Sequence, residues 1–310
     1  MHDALLNWYS AAGRHDLPWR QTRDPWAVLV SELMLQQTQV PRVLPKYGEF
    51  MRRFPTAAAC AAAPVGEVVR AWAGLGYNRR AVNLHRAAGM VAAGFPDTLE
   101  GLLALPGIGP YTARAVLAFA YERPVCPLDV NTARPLARAF GVDGQPAADA
   151  LVPDAPAPAP APPAPLPVLG TFSAIYGRKG AQKASAAPSA RARARAWVWN
   201  QALMDLGALV CTRRSPSCEV CPWKDVCGWR LGGGPDPAAP AGRQSRFAGS
   251  DRQGSGRLVD ALRSGPVPVA AVAEVMGWPD DADRAARVAA TLVADGLAEV
   301  LADGSFTLPD

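Results

Sequence analysis

Apolar residues return every three to four positions through the first 142 residues, and glycine and proline repeatedly cut the pattern. Asp24-Pro25 sets a capping carboxylate before a first-turn proline, and Val28, Leu29, Leu33 and Leu35 continue on a helical period. The same spacing predicts helices over 65–73, 79–93, 98–103, 110–121 and 132–140, with almost no strand alternation. The pattern fails over 143–190. Its Pro/Ala run from Pro153 to Pro167 cannot form helix or sheet interiors and reads as an extended, solvated linker. A helix resumes at Arg191–Arg195 and carries Trp197, Leu203, Met204 and Leu206 into a cysteine-rich loop. Beyond a Gly/Pro-rich break come helices at Leu258–Arg263, Val269–Met276 and Asp281–Ala294. Two strand-like stretches, Leu297–Leu301 and Ser305–Leu308, follow around Asp303-Gly304, giving a winged-helix pattern.

The expected fold is therefore all-α with a small C-terminal winged-helix-like domain. Residues 1–142 form a helical core, and 143–190 are an insertion expected to be disordered. Residues 191–230 complete the core, 231–256 form a linker, and 257–310 form the tail domain.

Charge adds a bias rather than a class. The chain has 32 basic and 27 acidic residues, a net +5, which favours an anionic partner without requiring one. No cationic-then-apolar leader pattern follows Met1, and no run of about twenty apolar residues exists, so the expectation is a cytoplasmic protein with no membrane partner.

The densest chemistry lies in Cys211, Cys218, Cys221 and Cys227. Four thiolates on one short loop can wrap a [4Fe–4S] cluster or a zinc ion. Structural zinc usually takes ligands in close pairs, so one tight pair flanked by wider gaps favours the cluster. Arg213, Arg214, Lys224 and Arg230 surround the loop, either neutralising a negative centre or offering cations to phosphates. Cys60 and Cys126 sit in apolar stretches and read as core thiols.

Gly107 and Gly109, in Leu105-Pro-Gly-Ile-Gly-Pro-Tyr-Thr112, separate two helical segments. Glycine lets the backbone turn and come close to a partner, and the next helix presents N–H groups suited to a phosphate oxygen. A Gly-x-Gly turn alone is more often a simple connection; with apolar residues on both sides it reads as a helix-hairpin-helix.

This hairpin, an aspartate some twenty residues on and the four-cysteine loop together resemble the helix-hairpin-helix, iron–sulfur DNA glycosylases that include endonuclease III. The likeness is stronger to the adenine DNA glycosylase (MutY) family. It is carried by Leu17-Pro-Trp-Arg20, Ser31–Val40, Trp72-Ala-Gly-Leu-Gly-Tyr77, the hairpin, Leu128-Asp-Val-Asn131 and Trp199–Gly207, spread over 1–142 and 195–230. The resemblance implies a two-lobed helical core with a [4Fe–4S] cofactor. It implies a monomeric, nucleoid-associated base-excision-repair enzyme that removes adenine opposite 8-oxoguanine or guanine in double-stranded DNA.

By residues alone Glu32 shares a helix face with apolar groups, wrong neighbours for an ordinary exposed glutamate; such surroundings favour a protonated carboxyl that can act as a general acid. The family assigns its glutamate that role toward the purine. Asp129 reads as a helix cap or as a carboxylate kept ionised by the helix N-terminus; the resemblance makes it the partner of an oxocarbenium-like sugar, beside Asn131. Trp19, Arg20 and Gln201 match the residues that enclose a flipped adenine, and Gln37 and Tyr77 match the wedge that fills its place. Without the resemblance, Trp19 reads as core and Arg20 as a surface cation. Tyr111 stands where the endonuclease III branch carries a nucleophilic lysine, which implies hydrolysis without strand cleavage.

Two other readings stay open: an endonuclease III-like pyrimidine glycosylase and lyase, and a non-catalytic DNA-binding scaffold. Two departures stand out. Pro135 lies early in the helix after Asp129, and the tail is too short and too helical for the Nudix-like domain of typical members.

Overall fold

The computed structural model describes residues 1–153, 190–238 and 246–310. Along the chain run α1 (His2–Ala12), α2 (Pro25–Leu35), α3 (Val40–Arg53), α4 (Ala57–Ala61), α5 (Val65–Ala71), α6 (Arg79–Val91), α7 (Leu99–Leu103) and α8 (Pro110–Phe119). There follow α9 (Val130–Phe140), α10 (Gln145–Ala150), α11 (Ala190–Asp205), α12 (Gly228–Gly232), α13 (Asp251–Leu262), α14 (Val272–Met276) and α15 (Ala282–Ala294), then strands β1 (Glu299–Val300) and β2 (Phe306–Thr307). The all-α expectation holds. No described helix is long and apolar enough to cross a membrane.

Two compact units arise: Met1–Ala11 with Glu122–Ala238, and Ala12–Tyr121 with Ala239–Asp310. The second is organised around α2. Asp24 caps that helix by accepting from the Trp26 N–H at 3.0 Å, and Pro25 occupies its first turn. Every residue from Trp26 to Met34 is buried, the pattern of a helix enclosed on all sides. Cys60 is buried in α4, where burial pushes its thiol up to about 12.

The first unit packs α9 and α11 around Leu136, Trp199, Leu203 and Leu206, with α1 supplying Leu5 and Tyr9. Cys126 belongs to this core. The expected insertion begins later than its composition suggested: α10 lies inside 143–190, and Ala148 and Val152 are buried against the core. Proline at its first turn supports that helix instead of preventing it. The remainder of the Pro/Ala run falls outside the described residues.

The tail departs from its expected isolation. α13 starts at Asp251, within the stretch read as linker, and α12 likewise crosses the boundary at 230. β1 and β2 pair antiparallel with Glu299 opposite Thr307 and Val300 opposite Phe306. The tail belongs to the same compact unit as residues 12–121. At its end the Pro309 carbonyl accepts from the Gly66 N–H at 2.8 Å, and a Cβ on Gly66 would lie 2.5 Å from that oxygen.

Candidate functional site

Glu32 is 6% exposed, in the third turn of α2 between buried Leu29 and Leu33. Amphipathic alternation placed it on an apolar face; the structure encloses the whole helix. At the C-terminal end of α2 the chain turns sharply. Gln37 adopts φ +54°, and Tyr77, in the loop between α5 and α6, adopts φ +48°. Side chains avoid this left-handed region, so both backbones need outside support.

Arg80, which lies outside the sequence motifs, supplies that support. Its buried guanidinium donates to the carbonyls of Leu33 at 2.7 Å, Met34 at 3.3 Å and Gln36 at 2.5 Å. On the other side it donates to the carbonyls of Leu75 at 3.1 Å and Gly76 at 3.0 Å, and to the Thr38 hydroxyl. One cation thus collects the orphan carbonyls at the C-terminus of α2, where the helix dipole favours positive charge, and ties the Gln37 turn to the Tyr77 turn. Burial brings its pKa down to about 10. A sequence signal existed: Arg80 falls on one helical face with Leu84, Ala87 and Val91, all buried. Tyr77 itself is 43% exposed.

The helix-hairpin-helix joins α7 to α8. Gly107 has φ +75°, and a Cβ there would lie 2.7 Å from the Asn83 amide nitrogen, so turn geometry and packing both demand glycine. Gly109 has ordinary backbone angles, and a Cβ on it would meet nothing within 4 Å. Its bareness leaves the start of α8 open to a close partner. Thr112, buried on α8, accepts from the Gln36 amide at 3.2 Å, which links the hairpin to the end of α2; Tyr111 is half-buried beside it. Trp19 and Arg20 are both buried, contrary to the surface-cation reading of Arg20; Trp19 stacks edge-on against Tyr47 at 5.3 Å, and Arg20 donates to the Arg14 carbonyl at 3.2 Å.

Asp129, Asn131 and Gln201 belong to the other unit. Asp129 caps α9 in a reciprocal box: its carboxylate accepts from the Asn131 and Thr132 N–H groups at 2.8 and 2.9 Å, and the Thr132 hydroxyl accepts from the Asp129 N–H at 2.8 Å. The Asn131 amide donates to its other oxygen at 3.2 Å. Capping and a fixed carboxylate therefore coexist. Pro135 lies inside α9, not at its first turn, and has no N–H for the Asn131 carbonyl four residues back. Gly207 packs against that oxygen so closely that a Cβ would lie 1.9 Å from it. Gln201 is buried in α11.

Two arginines that the motifs missed connect α9 to the cysteine loop. Arg134 donates to the carbonyls of Cys211 at 2.6 Å and Gly207 at 2.7 Å and to the Asn131 side-chain oxygen at 3.1 Å. Arg138, 2% exposed, donates to the Cys211 sulfur at 3.4 Å and is held by Asp236 at 2.6 Å. That ion pair pulls the Asp236 carboxyl below the usual range.

Cys211, Cys218, Cys221 and Cys227 are free thiols that line one cavity with Arg138, Lys224 and Trp229. Among the described residues no three Cys, His, Asp or Glu side chains close on a single ion position. Burial and the neighbouring thiols push Cys221 up to about 11. Such thiols ionise when a metal centre replaces their protons, and four of them around one space fit the ligand set of a [4Fe–4S] cluster.

Residues 211–227 match the model of the iron–sulfur binding domain of endonuclease III, and residues 30–152 match that of the HhH-GPD superfamily of base excision DNA repair proteins. The chain carries a [4Fe–4S] cluster site on this loop. An adenine DNA glycosylase of Mycobacterium tuberculosis is 41% identical over 98% of this chain and 92% of its own length. That of Mycolicibacterium smegmatis is 42% identical over 98% and 94%, so the likeness to both runs through the tail. The human adenine DNA glycosylase is 34% identical over 72% of this chain and 38% of its own. Among solved structures, a thermostable thymine-DNA glycosylase superposes with a TM-score of 0.57 at 24% identity, covering 74% of this chain and 95% of that one. A trapped endonuclease III–DNA covalent intermediate gives 0.52 at 17%, covering 73% and 92%; at these identities the likeness concerns the fold.

Proposed function

This chain belongs to the adenine DNA glycosylase family, and from that premise we propose that it hydrolyses the N-glycosidic bond of adenine mispaired with 8-oxoguanine or guanine in double-stranded DNA. The observation that carries the reading is Glu32, a carboxyl 6% exposed within a fully enclosed helix. A carboxyl is seldom buried, because enclosure disfavours its charged form, and a proton-donating role toward a flipped base gives that placement a purpose. Base flipping takes the adenine out of the stack, Gln37 and Tyr77 fill its place, and Trp19, Arg20 and Gln201 are each assigned a contact with the flipped base. Glu32 protonates the leaving purine as the C1′–N bond breaks with its electron pair going to the base. Asp129, oriented by its cap and by Asn131, stabilises the cationic sugar. A water oxygen then bonds to C1′ and releases a proton, leaving an abasic site.

Tyr111 offers no amine for a Schiff base, so the reaction ends with base release. Gly107 and Gly109 bring the start of α8 to the DNA backbone, and the cysteine loop presents exposed Arg213 and Arg214 to phosphates. The enzyme works as a monomer in the cytoplasm, at the nucleoid. The tail, three helices and a hairpin, is a winged-helix-like domain.

Single-turnover assays on duplexes containing A:8-oxoG, A:G, A:C or thymine glycol test this. Adenine should be released opposite 8-oxoguanine and guanine, with no borohydride-trapped crosslink. Release of thymine glycol with efficient trapping would instead establish the lyase reading.

A further inference from the structure

The loop Trp72–Tyr77 connects α5 to α6, and the tail holds both of its ends. Arg263, which follows α13, donates through Nε to the Val69 carbonyl at 3.1 Å and through a terminal nitrogen to the Asn78 side-chain oxygen at 2.8 Å. Val69 lies in the last turn of α5, and Asn78 is the residue that opens α6. Asparagine at such a position ordinarily caps its own helix; here Asn78 makes no side-chain cap and gives its oxygen to Arg263. The Arg263 side chain is only 11% exposed, burial lowers its pKa, and Asp260 pairs with it on the tail side.

Further contacts repeat the pattern around the same helix pair. Asp295 pairs with Arg79 at 3.2 Å, at the first residue of α6. Gly296, with φ +74°, approaches Arg86 so closely that a Cβ would lie 2.9 Å from its guanidinium. Pro309 closes the set at the first turn of α5 through Gly66. Two arginines of the tail's third helix are meanwhile paired within the tail. Arg284 and Arg287 both pair with Asp251, and Arg284 lies 4.0 Å over the Trp278 ring. The domain therefore offers a brace more readily than a phosphate-binding face.

We propose that the C-terminal domain is a brace for the Trp72–Tyr77 loop, with Arg263 as the positioning residue that fixes the spacing of the loop's two ends. Arg80 holds the loop from the α2 side and Arg263 from the tail side, and between them Tyr77 keeps its left-handed backbone. Its effect on catalysis rests on the wedge role proposed for Tyr77; the brace itself does not.

Hydrogen exchange on the full-length, iron-replete protein separates the two. In Arg263→Ala, amides of residues 73–78 should exchange about tenfold faster while those of the cysteine loop stay unchanged, because two anchoring bonds to the loop ends are lost. Asn78→Ala should give the same pattern, weaker, which guards against a general loosening caused by Arg263→Ala alone. Unchanged exchange at 73–78 in both variants would overturn the brace whatever Tyr77 does. Single-turnover excision is then read on the same samples. With the brace intact as a mechanism, Arg263→Ala should excise adenine about tenfold more slowly while binding undamaged duplex normally. If exchange rises and Tyr77→Ala excises at the parent rate, the wedge reading fails and the brace stands.

Discussion

Gly207 has no room for a side chain. Its Cα faces the Asn131 carbonyl, which Pro135 leaves without a helical donor, and an added methyl would sit 1.9 Å from the oxygen. Both groups are backbone, so neither can swing aside, and accommodation must shift α9 or the turn at 206–210. Gly207→Ala should therefore lower stability by about 2 kcal/mol and the melting temperature by about 5 °C, measured by thermal unfolding. Adenine excision should fall as well, since the displaced helix terminus carries Asp129. A melting temperature equal to the parent's would mean that this approach is not tight. Arg80 poses the complementary case: it is tolerated in the interior because six carbonyls surround it with partial negative charge.

Elements explain what could be read from the chain. Helices with a cap and a first-turn proline, such as α2, or with a glycine before a first-turn proline, such as α8, announced themselves, and their ends fall within about two residues of expectation. The cysteine spacing likewise disclosed a metal-centre loop. The helix α10 did not, because its alanine and proline composition matches that of the Pro/Ala-rich sequence after it, and only burial of Ala148 and Val152 distinguishes it. Nor did Arg134 and Arg138, whose targets include carbonyls, a sulfur and a carboxylate from distant segments that leave no local pattern; Arg80 left only its place on a helical face with buried Leu84, Ala87 and Val91. The cluster loop gives the element-scale prediction. Cys218→Ala removes one of four ligands, so the purified protein should lose its brown colour and its absorbance near 400 nm along with its iron. Metal analysis finding stoichiometric zinc and no iron in anaerobically prepared parent protein would contradict the cluster.

At the scale of the whole molecule, charge is sorted by use. Arg213 and Arg214 on the cysteine loop are exposed, and in the tail half-buried Arg284 and exposed Arg287 both pair with Asp251. The winged-helix pattern suggested a free-standing module, yet the tail shares its compact unit with residues 12–121; a domain class is legible from local pattern, but its docking partner is not. Arg287→Ala should leave the salt dependence of duplex binding unchanged, while Arg213→Ala should reduce the slope of log K against log salt by about one. Equal reductions in the two variants would place the tail on the DNA.

The proposed hydrolysis of adenine depends on the buried carboxyl of Glu32. Single-turnover release of adenine opposite 8-oxoguanine, with duplex binding measured on the same samples, tests it most directly in the parent and in Glu32→Gln. The parent should release adenine, and Glu32→Gln should be slower by about a hundredfold or more with binding retained, because the amide keeps the shape and lacks the proton. Comparable rates in the two proteins, or an iron-replete parent that releases no adenine, would contradict it.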